Sequence, residues 1–315
     1  MPSASSLGLD SVTVIVPVKD EEEAIGLVID ELLNIGVKPG NIIVVDGHSR
    51  DRTPEIARSK GVVVVTQPGD GKADAVRHGL SLAKTDYVLI MDGDYTYPAK
   101  HIPELLSVMA RQGCGEVIGA RLRGRENIPL VNRLGNWLLT KTFNLLFGTR
   151  LRDVLSGMYL VRKELLEYAL FETKGFSIES EIAAHIASIG EEVCEHPIEY
   201  RRRIGAKKLR VIHGLTIFLD MIKLSWSYNP FFTMALVASL LLVPGLVLGS
   251  WVLYEYYVHG VKHHVKGIAA IMMGSIGLEA LLIALMALYT KRAELRLLRA
   301  IRRLRNSVEK LADKL

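Results

Sequence analysis

The chain has 315 residues, 49% of them apolar, two cysteines and a formal net charge of +5, enough to bury a full-sized core without staples or an obligate structural metal. That charge is split: residues 1–200 carry 21 Lys+Arg against 28 Asp+Glu, 201–290 carry 9 against 3, and 291–315 again carry 9 against 3. An acidic first part followed by a basic, apolar-rich remainder argues against a nucleic-acid binder and for a membrane surface. Cys114 and Cys194 have neither CxxC nor metal-ligand spacing, which predicts two separate thiols, no disulfide framework and a reducing compartment. Residues 1–11 hold neither a basic start nor an apolar run, so no signal peptide is expected.

Short β-branched runs at residues 12–16, 42–45, 62–65, 87–91 and 116–119 alternate with helical stretches at 20–33, 53–60, 72–83, 101–112 and 132–147. Continuous apolar strands separated by helices predict a mostly parallel sheet covered on both faces. Ligands of such sheets bind beyond the carboxyl ends of the strands, so the residues after each strand matter most. After the first strand comes Pro17-Val18-Lys19-Asp20-Glu21, where Asp20 is expected to cap the following helix. After the second, Thr53-Pro54 opens a helix, and Asp46 at the strand tip is surplus to that turn. After the third, Gly69-Asp70-Gly71-Lys72 leads into a helix; glycines there suit a phosphate, though the spacing is not that of a nucleoside-triphosphate loop.

The fourth strand runs straight into Asp92-Gly93-Asp94. Carboxylates at i and i+2 of an extended segment project to one side, so both can share one hard divalent ion and leave positions for diphosphate oxygens and water.

With these residues in hand, the chain resembles the family 2, GT-A fold glycosyltransferases, in particular the branch similar to dolichol-phosphate mannose synthases and other polyprenyl-phosphate hexosyltransferases. The matching residues are Pro17 with Asp20-Glu21, Asp46 with Asp51-Arg52-Thr53, Gly71-Lys72, Asp92-Gly-Asp94 with Pro98, Gly119-Ala-Arg121, Asp153 with Ser156-Gly157, and Gly205 with Lys207, Lys208 and Leu209. The resemblance spans about residues 1–210. It implies nucleotide-sugar binding by Pro17, Lys19, Glu21, Asp46, Gly71, Lys72, Asp92 and Asp94, with Mg²⁺ or Mn²⁺ on Asp92 and Asp94. It implies receipt of an acceptor phosphate by Arg121 and Arg133 and by the basic turn Arg201, Arg202, Arg203 and Lys208. Two departures stand out: the usual DxDxQ pattern has Thr96 at its fifth position here, and the usual paired acids are Asp46-Gly47. They leave GDP-mannose, UDP-glucose and UDP-N-acetylglucosamine open as donors.

The chemistry is consistent with the residues themselves. A phosphate monoester acceptor arrives already anionic and needs orientation and cations more than a general base. That suits a chain with arginines at 121, 123, 125, 133, 150 and 152 and no evident Ser/His/Asp set. Asp94, Arg121, Arg133 and Asp153 are the expected catalytic group, Asp153 either shaping the pocket or capping its loop.

Residues 231–254 contain no charge, and 267–290 contain only Glu279. Each stretch is long enough to cross a hydrocarbon core of about 30 Å. Basic residues flank both outer ends, which places both termini and the first domain in the cytoplasm and residues 259–266 on the far side. Pro244-Gly245 is expected to kink the first span, and Glu279 to sit at a helix contact. Leu297, Ile301, Leu304, Val308, Leu311 and Leu315 follow a 4-3-4-3-4 spacing, the seam of a coiled coil or of a helix lying on lipid, which suggests a homo-oligomer.

The expected architecture is therefore α/β: a GT-A, Rossmann-like, mostly parallel sheet domain over 1–210, an interfacial amphipathic helix over 211–228, a transmembrane hairpin over 229–290 (spans at about 231–257 and 267–290), and a basic cytoplasmic tail over 291–315. The expected activity is inverting transfer of one hexose or N-acetylhexosamine to dolichyl or polyprenyl phosphate, giving a lipid-linked donor for glycosylation. A processive polysaccharide synthase would carry more spans and a QxxRW motif, which the sequence lacks. A membrane scaffold would have no use for two acids at a strand tip.

Overall fold

The computed structural model describes residues 7–166, 169, 171, 178–205 and 212–312. It comprises two compact units, Met1–Met221 and Ile222–Leu315.

The first unit is built on strands β1 (Val12–Val18), β2 (Ile42–Asp46), β3 (Val63–Thr66), β4 (Tyr87–Met91), β5 (Glu116–Arg123), β6 (Met158–Arg162) and β7 (Val193–Glu199). They form one sheet in the order β3-β2-β1-β4-β6-β5-β7. Strand β6 is antiparallel to both of its neighbours, and the other pairings are parallel. Helices α1 (Ile25–Asn34), α2 (Thr53–Ser59), α3 (Lys72–Leu82), α4 (Ile102–Gln112), α5 (Leu130–Phe147) and α6 (Ile178–Ser188) connect the strands. Strand β1 is buried almost throughout, as a central strand covered on both faces must be. Its apolar run packs with Ile25, Ile29 and Leu32 of α1 and Ile102 and Leu105 of α4 in one core.

Three local readings are corrected. Asp20 does not cap the first helix: its φ of 48° turns the chain, its carboxylate accepts from the Arg50 backbone N–H at 2.7 Å, and α1 begins only at Ile25. Strands β6 and β7 were not among the predicted ones: β6 follows directly on the Ser156-Gly157 turn, and β7 carries Glu195, His196 and Pro197 among its apolar residues. Cys114 and Cys194 are joined in a disulfide with their Cα atoms 6.1 Å apart. The β5–β7 register, with Val117 opposite Cys194, brings together positions 80 apart in sequence. With separate thiols goes that support for a reducing compartment.

The second unit holds α8 (Pro230–His259) and α9 (His264–Ala312); α7 (Ile212–Tyr228) runs across the boundary between units. The stretches Pro230–His259 and His264–Glu294 have mean hydropathies of 2.4 and 2.2 and are long enough to span a membrane. Helix α8 continues through Pro244 as one helix. Glu279 is exposed, while its neighbours Gly277 and Ala280 are buried, so it lies off the hairpin contact rather than in it. Helix α9 carries the tail on without a break, with Leu297, Ile301 and Leu304 exposed; the side chains of Val308, Leu311 and Leu315 lie outside the described residues.

Candidate active site

The carboxyl ends of β1, β2 and β4, the start of α3 and the chain after β7 enclose a cavity of about 680 Å³. Its floor is the tip of β4. Asp92 takes the Lys72 ammonium on Oδ1 at 2.5 Å, and the same ammonium meets Glu179 at the start of α6. Burial alone would lower the Lys72 pKa, but Asp92 and Glu179 hold it well above the ordinary lysine value. Asp94, two residues on, is buried. Its Oδ1 accepts from the Thr96 hydroxyl at 2.5 Å and the Thr96 backbone N–H at 3.2 Å. Its Oδ2 accepts from Arg203 at 2.9 Å. Burial, then the neighbouring Asp92 charge, raises its pKa against the pull of Thr96 and Arg203. Thr96, the departure at the fifth motif position, is thus a direct support of Asp94.

Arg203 also meets Glu21, itself buried. Gly205 at φ +83° makes the turn that follows, a backbone conformation costly for any residue with a Cβ. Lys207, Lys208 and Arg210, expected on the far side of this turn, lie outside the described residues.

A second buried pair forms the wall beside β5. Arg121 binds Asp153 bidentately, both bonds at 2.7 Å, and its backbone N–H donates to the same carboxylate at 3.0 Å. Asp153 in turn is held by its own N–H to Glu195 at 2.9 Å. The Arg121 guanidinium lies 5.5 Å from the Tyr200 ring centroid, and Tyr200 packs edge-on against Tyr97 at 5.4 Å. The Tyr97 hydroxyl accepts from the Gly157 N–H at 2.7 Å.

The expected residues divide. Pro17, Lys19, Glu21, Gly71, Lys72, Asp92, Asp94, Arg121, Arg202 and Arg203 all line the cavity. Asp46 is buried beneath it, its carboxylate accepting from the Ser49 N–H at 3.2 Å, and Gly47 forms the lining in its place. Arg133 is exposed on α5 and does not line the cavity, where its helix contributes Asn132 and Asn136. Arg201 turns to Glu31 at 2.6 Å and to the Tyr95 ring. Sequence reasoning missed Glu179, Tyr97, Tyr200 and Gln67. Only Tyr97, five residues after Asp92, had a signal close at hand.

Asp92 and Asp94 fit a hard divalent ion by donor type, being carboxylates at the lining of an open cavity. Gly157 keeps the approach open, since a Cβ there would stand 2.0 Å from Asp92 Oδ2. Among the described residues no set of three His, Cys, Asp or Glu side chains gathers as ligands.

The profile of glycosyl transferase family 2 matches residues 13–169. Glycosyltransferase AglJ of Haloferax volcanii is 32% identical over 273 residues, covering 85% of this chain and 88% of that protein. The dolichyl-phosphate hexose transferase of the same organism is 34% identical over 206 residues, covering 65% and 89%. Among solved structures, glucosyl-3-phosphoglycerate synthase from Mycobacterium tuberculosis, in complex with Mn²⁺, uridine diphosphate and glucosyl-3-phosphoglycerate, aligns with a TM-score of 0.55 at 21% identity over 70% of this chain and 80% of that one. That last likeness is one of fold.

Proposed function

The chain belongs to glycosyl transferase family 2, and from that premise we propose that it transfers one hexose or N-acetylhexosamine from a nucleotide sugar to dolichyl or polyprenyl phosphate, with inversion at the anomeric carbon. The observation that carries this reading is a single cavity with two acids at the tip of β4 and three arginines, Arg121, Arg202 and Arg203, on its other walls. The acids suit a donor diphosphate and the arginines an anionic acceptor. The relative named dolichyl-phosphate hexose transferase and the two long apolar helices support a lipid-borne acceptor.

In this reading a divalent ion held by Asp92 and Asp94, Mg²⁺ or the Mn²⁺ found with the mycobacterial enzyme, supplies charge neutralisation for the departing diphosphate. Lys72, fixed between Asp92 and Glu179, adds a permanent positive charge at the same end of the cavity. An acceptor phosphate oxygen attacks the sugar C1 while the C1–O bond to the diphosphate breaks. The nucleoside diphosphate leaves with that electron pair. The acceptor oxygen is already anionic, so no side chain has to remove a proton. Arg121 is held in one orientation by Asp153, which leaves its outer edge to meet the phosphate. Arg202 and Arg203 close on it from the turn after β7.

The basic flanks of the apolar helices favour placing the first unit on the cytoplasmic side, where nucleotide sugars are made. Incubating the purified chain with GDP-mannose, UDP-glucose or UDP-N-acetylglucosamine and a short polyprenyl phosphate, then weighing the lipid extract by mass spectrometry, tests the reading. One added sugar with one donor supports it. A polymer, or no lipid product with any nucleotide sugar, refutes it.

A further inference from the structure

Helix α9 packs on α8 through small residues. Ala280 and Ala284 are buried, and a Cβ on Gly277 would stand 2.7 Å from the Leu242 backbone. The other side of α9 is apolar and exposed: Leu282, Met286 and Tyr289, then Leu297, Ile301 and Leu304 at 64%, 59% and 68%. At 100° per residue these six fall within about 120° of arc, centred about 150° from the contact with α8. As far as Tyr289 such a face is covered by lipid tails. Glu294 ends the apolar stretch, and Leu297, Ile301 and Leu304 stand beyond it.

Continuity of the helix decides against lipid as their cover. Helix α9 holds from His264 to Ala312, and no glycine or proline follows Gly277. A helix that leaves a span to lie on the bilayer surface has to bend sharply, and sharp bends sit at such residues. The 18 residues from Glu294 to Ala312 instead carry the tail about 27 Å along the axis of the span.

The pattern selects a second copy of this chain. Leu297, Leu304 and, further along the sequence, Leu311 take one core position of a seven-residue repeat, while Ile301 and Val308 take the other. β-Branched residues at the first core position with leucine at the second favour two parallel strands. The positions flanking the seam hold Ala300 and Ser307 on one side and Arg305 and Ala312 on the other, so two copies bring no like charges together across it. Arg296, Arg299, Arg302, Arg303 and Lys310 all fall at outer positions of the repeat. Two tails leaving the same side of one membrane can pair only in parallel, which is the orientation this pattern favours.

We propose that α9 joins two chains in a parallel, in-register coiled coil over residues 297–311. The inference rests on the membrane part of the reading above and is independent of the sugar chemistry.

Both native cysteines are joined to each other, so a cysteine added to the tail reports on its own surroundings. In membranes of expressing cells, mild copper–phenanthroline oxidation should link Leu304→Cys, and separately Ile301→Cys, into a dimer seen on a non-reducing gel. Both should link several-fold faster than Arg302→Cys, which sits at an outer position. Equal rates at 302 and 304 would report chance collision, and absence of dimer at both seam positions would leave the tail unpaired; either result overturns the proposal. Light scattering of the unsubstituted chain in detergent should give two chains per particle, and Leu297→Glu combined with Leu304→Glu should reduce this to one. A dimer that survives the glutamates, or a single chain without them, also overturns it. A chain that stays in solution without detergent defeats the membrane reading as well, whereas a detergent-requiring chain whose seam cysteines fail to link defeats the coiled coil alone.

Discussion

Arg203 donates from Nη1 to Asp94 at 2.9 Å. With its second contact to Glu21, one guanidinium from the chain after β7 ties the tip of β4 to the segment after β1. A residue in the basic turn therefore belongs to the cavity and is more than a topology signal. A charged hydrogen bond to an acceptor phosphate is worth about 1.5–3 kcal/mol. Arg203→Ala should thus raise the apparent KM for polyprenyl phosphate by roughly 10- to 100-fold, or lower turnover comparably. The KM for the nucleotide sugar, affected only through Asp94 and Glu21, should change less than that for the acceptor. Steady-state kinetics with each substrate varied in turn reads the split; unchanged acceptor kinetics would reduce Arg203 to a topological role.

Asp94 is supported by Thr96 and Arg203 and faces the same cavity as Asp92. Asp94→Asn keeps the shape and removes the charge that holds a divalent ion. Turnover should fall by about 100-fold or more, the scale on which loss of one preorganised electrostatic contact is felt. A chelator should do the same to the wild type, with recovery on adding Mg²⁺ or Mn²⁺. Full activity in excess EDTA would contradict the assignment.

The Arg121–Asp153 pair has side chains only 10% and 7% exposed, and breaking such a pair leaves an uncompensated buried charge. Asp153→Ala should cost about 3–5 kcal/mol of stability, seen as a lower unfolding midpoint in detergent. Arg121→Lys should lose most of the activity, because an ammonium lacks the planar fork that meets both carboxylate oxygens. An unshifted midpoint in Asp153→Ala would show that the pair carries little of the wall.

Glu116 at the start of β5 is buried, and among the described residues neither carboxylate oxygen has a hydrogen-bond partner. Burial, then the nearby Glu179 charge, raises its pKa well above the ordinary 4.5. The folded chain therefore holds this proton more tightly than the unfolded chain does. The resulting stability is fully present below the unfolded value and is lost as pH rises through the folded pKa. Glu116→Gln keeps the shape without the titration, so the midpoint of the variant minus that of the wild type should grow from about pH 5 to about pH 8. A difference that is flat or shrinks over that range would place the charge elsewhere.

Much of the fold was legible because each parallel strand is a continuous β-branched run ending in a turn signal, with β4 running into Asp92 the clearest case. Strands β6 and β7 were not, because β6 follows directly on the Ser156-Gly157 turn and β7 carries Glu195, His196 and Pro197 among its apolar residues. The disulfide was invisible for a similar reason: its partners meet through sheet register, which spacing along the chain does not encode. Within the site, Asp92, Asp94, Lys72 and Arg121 could be found from strand-end positions and family resemblance. Glu179 could not, since its importance comes from the one ammonium it shares with Asp92. Arg133 lies on the exposed side of α5, a placement that its nearness to the motif in sequence does not fix.

The central claim is that the acceptor is met as a phosphate, by arginines, with no base to activate a hydroxyl. It is tested most directly by offering the purified chain, with its preferred nucleotide sugar, either a polyprenyl phosphate or the free polyprenol of the same length. The account predicts one sugar added to the phosphate and none to the alcohol. Comparable transfer to the alcohol, or transfer to neither while the nucleotide sugar is consumed, would contradict it.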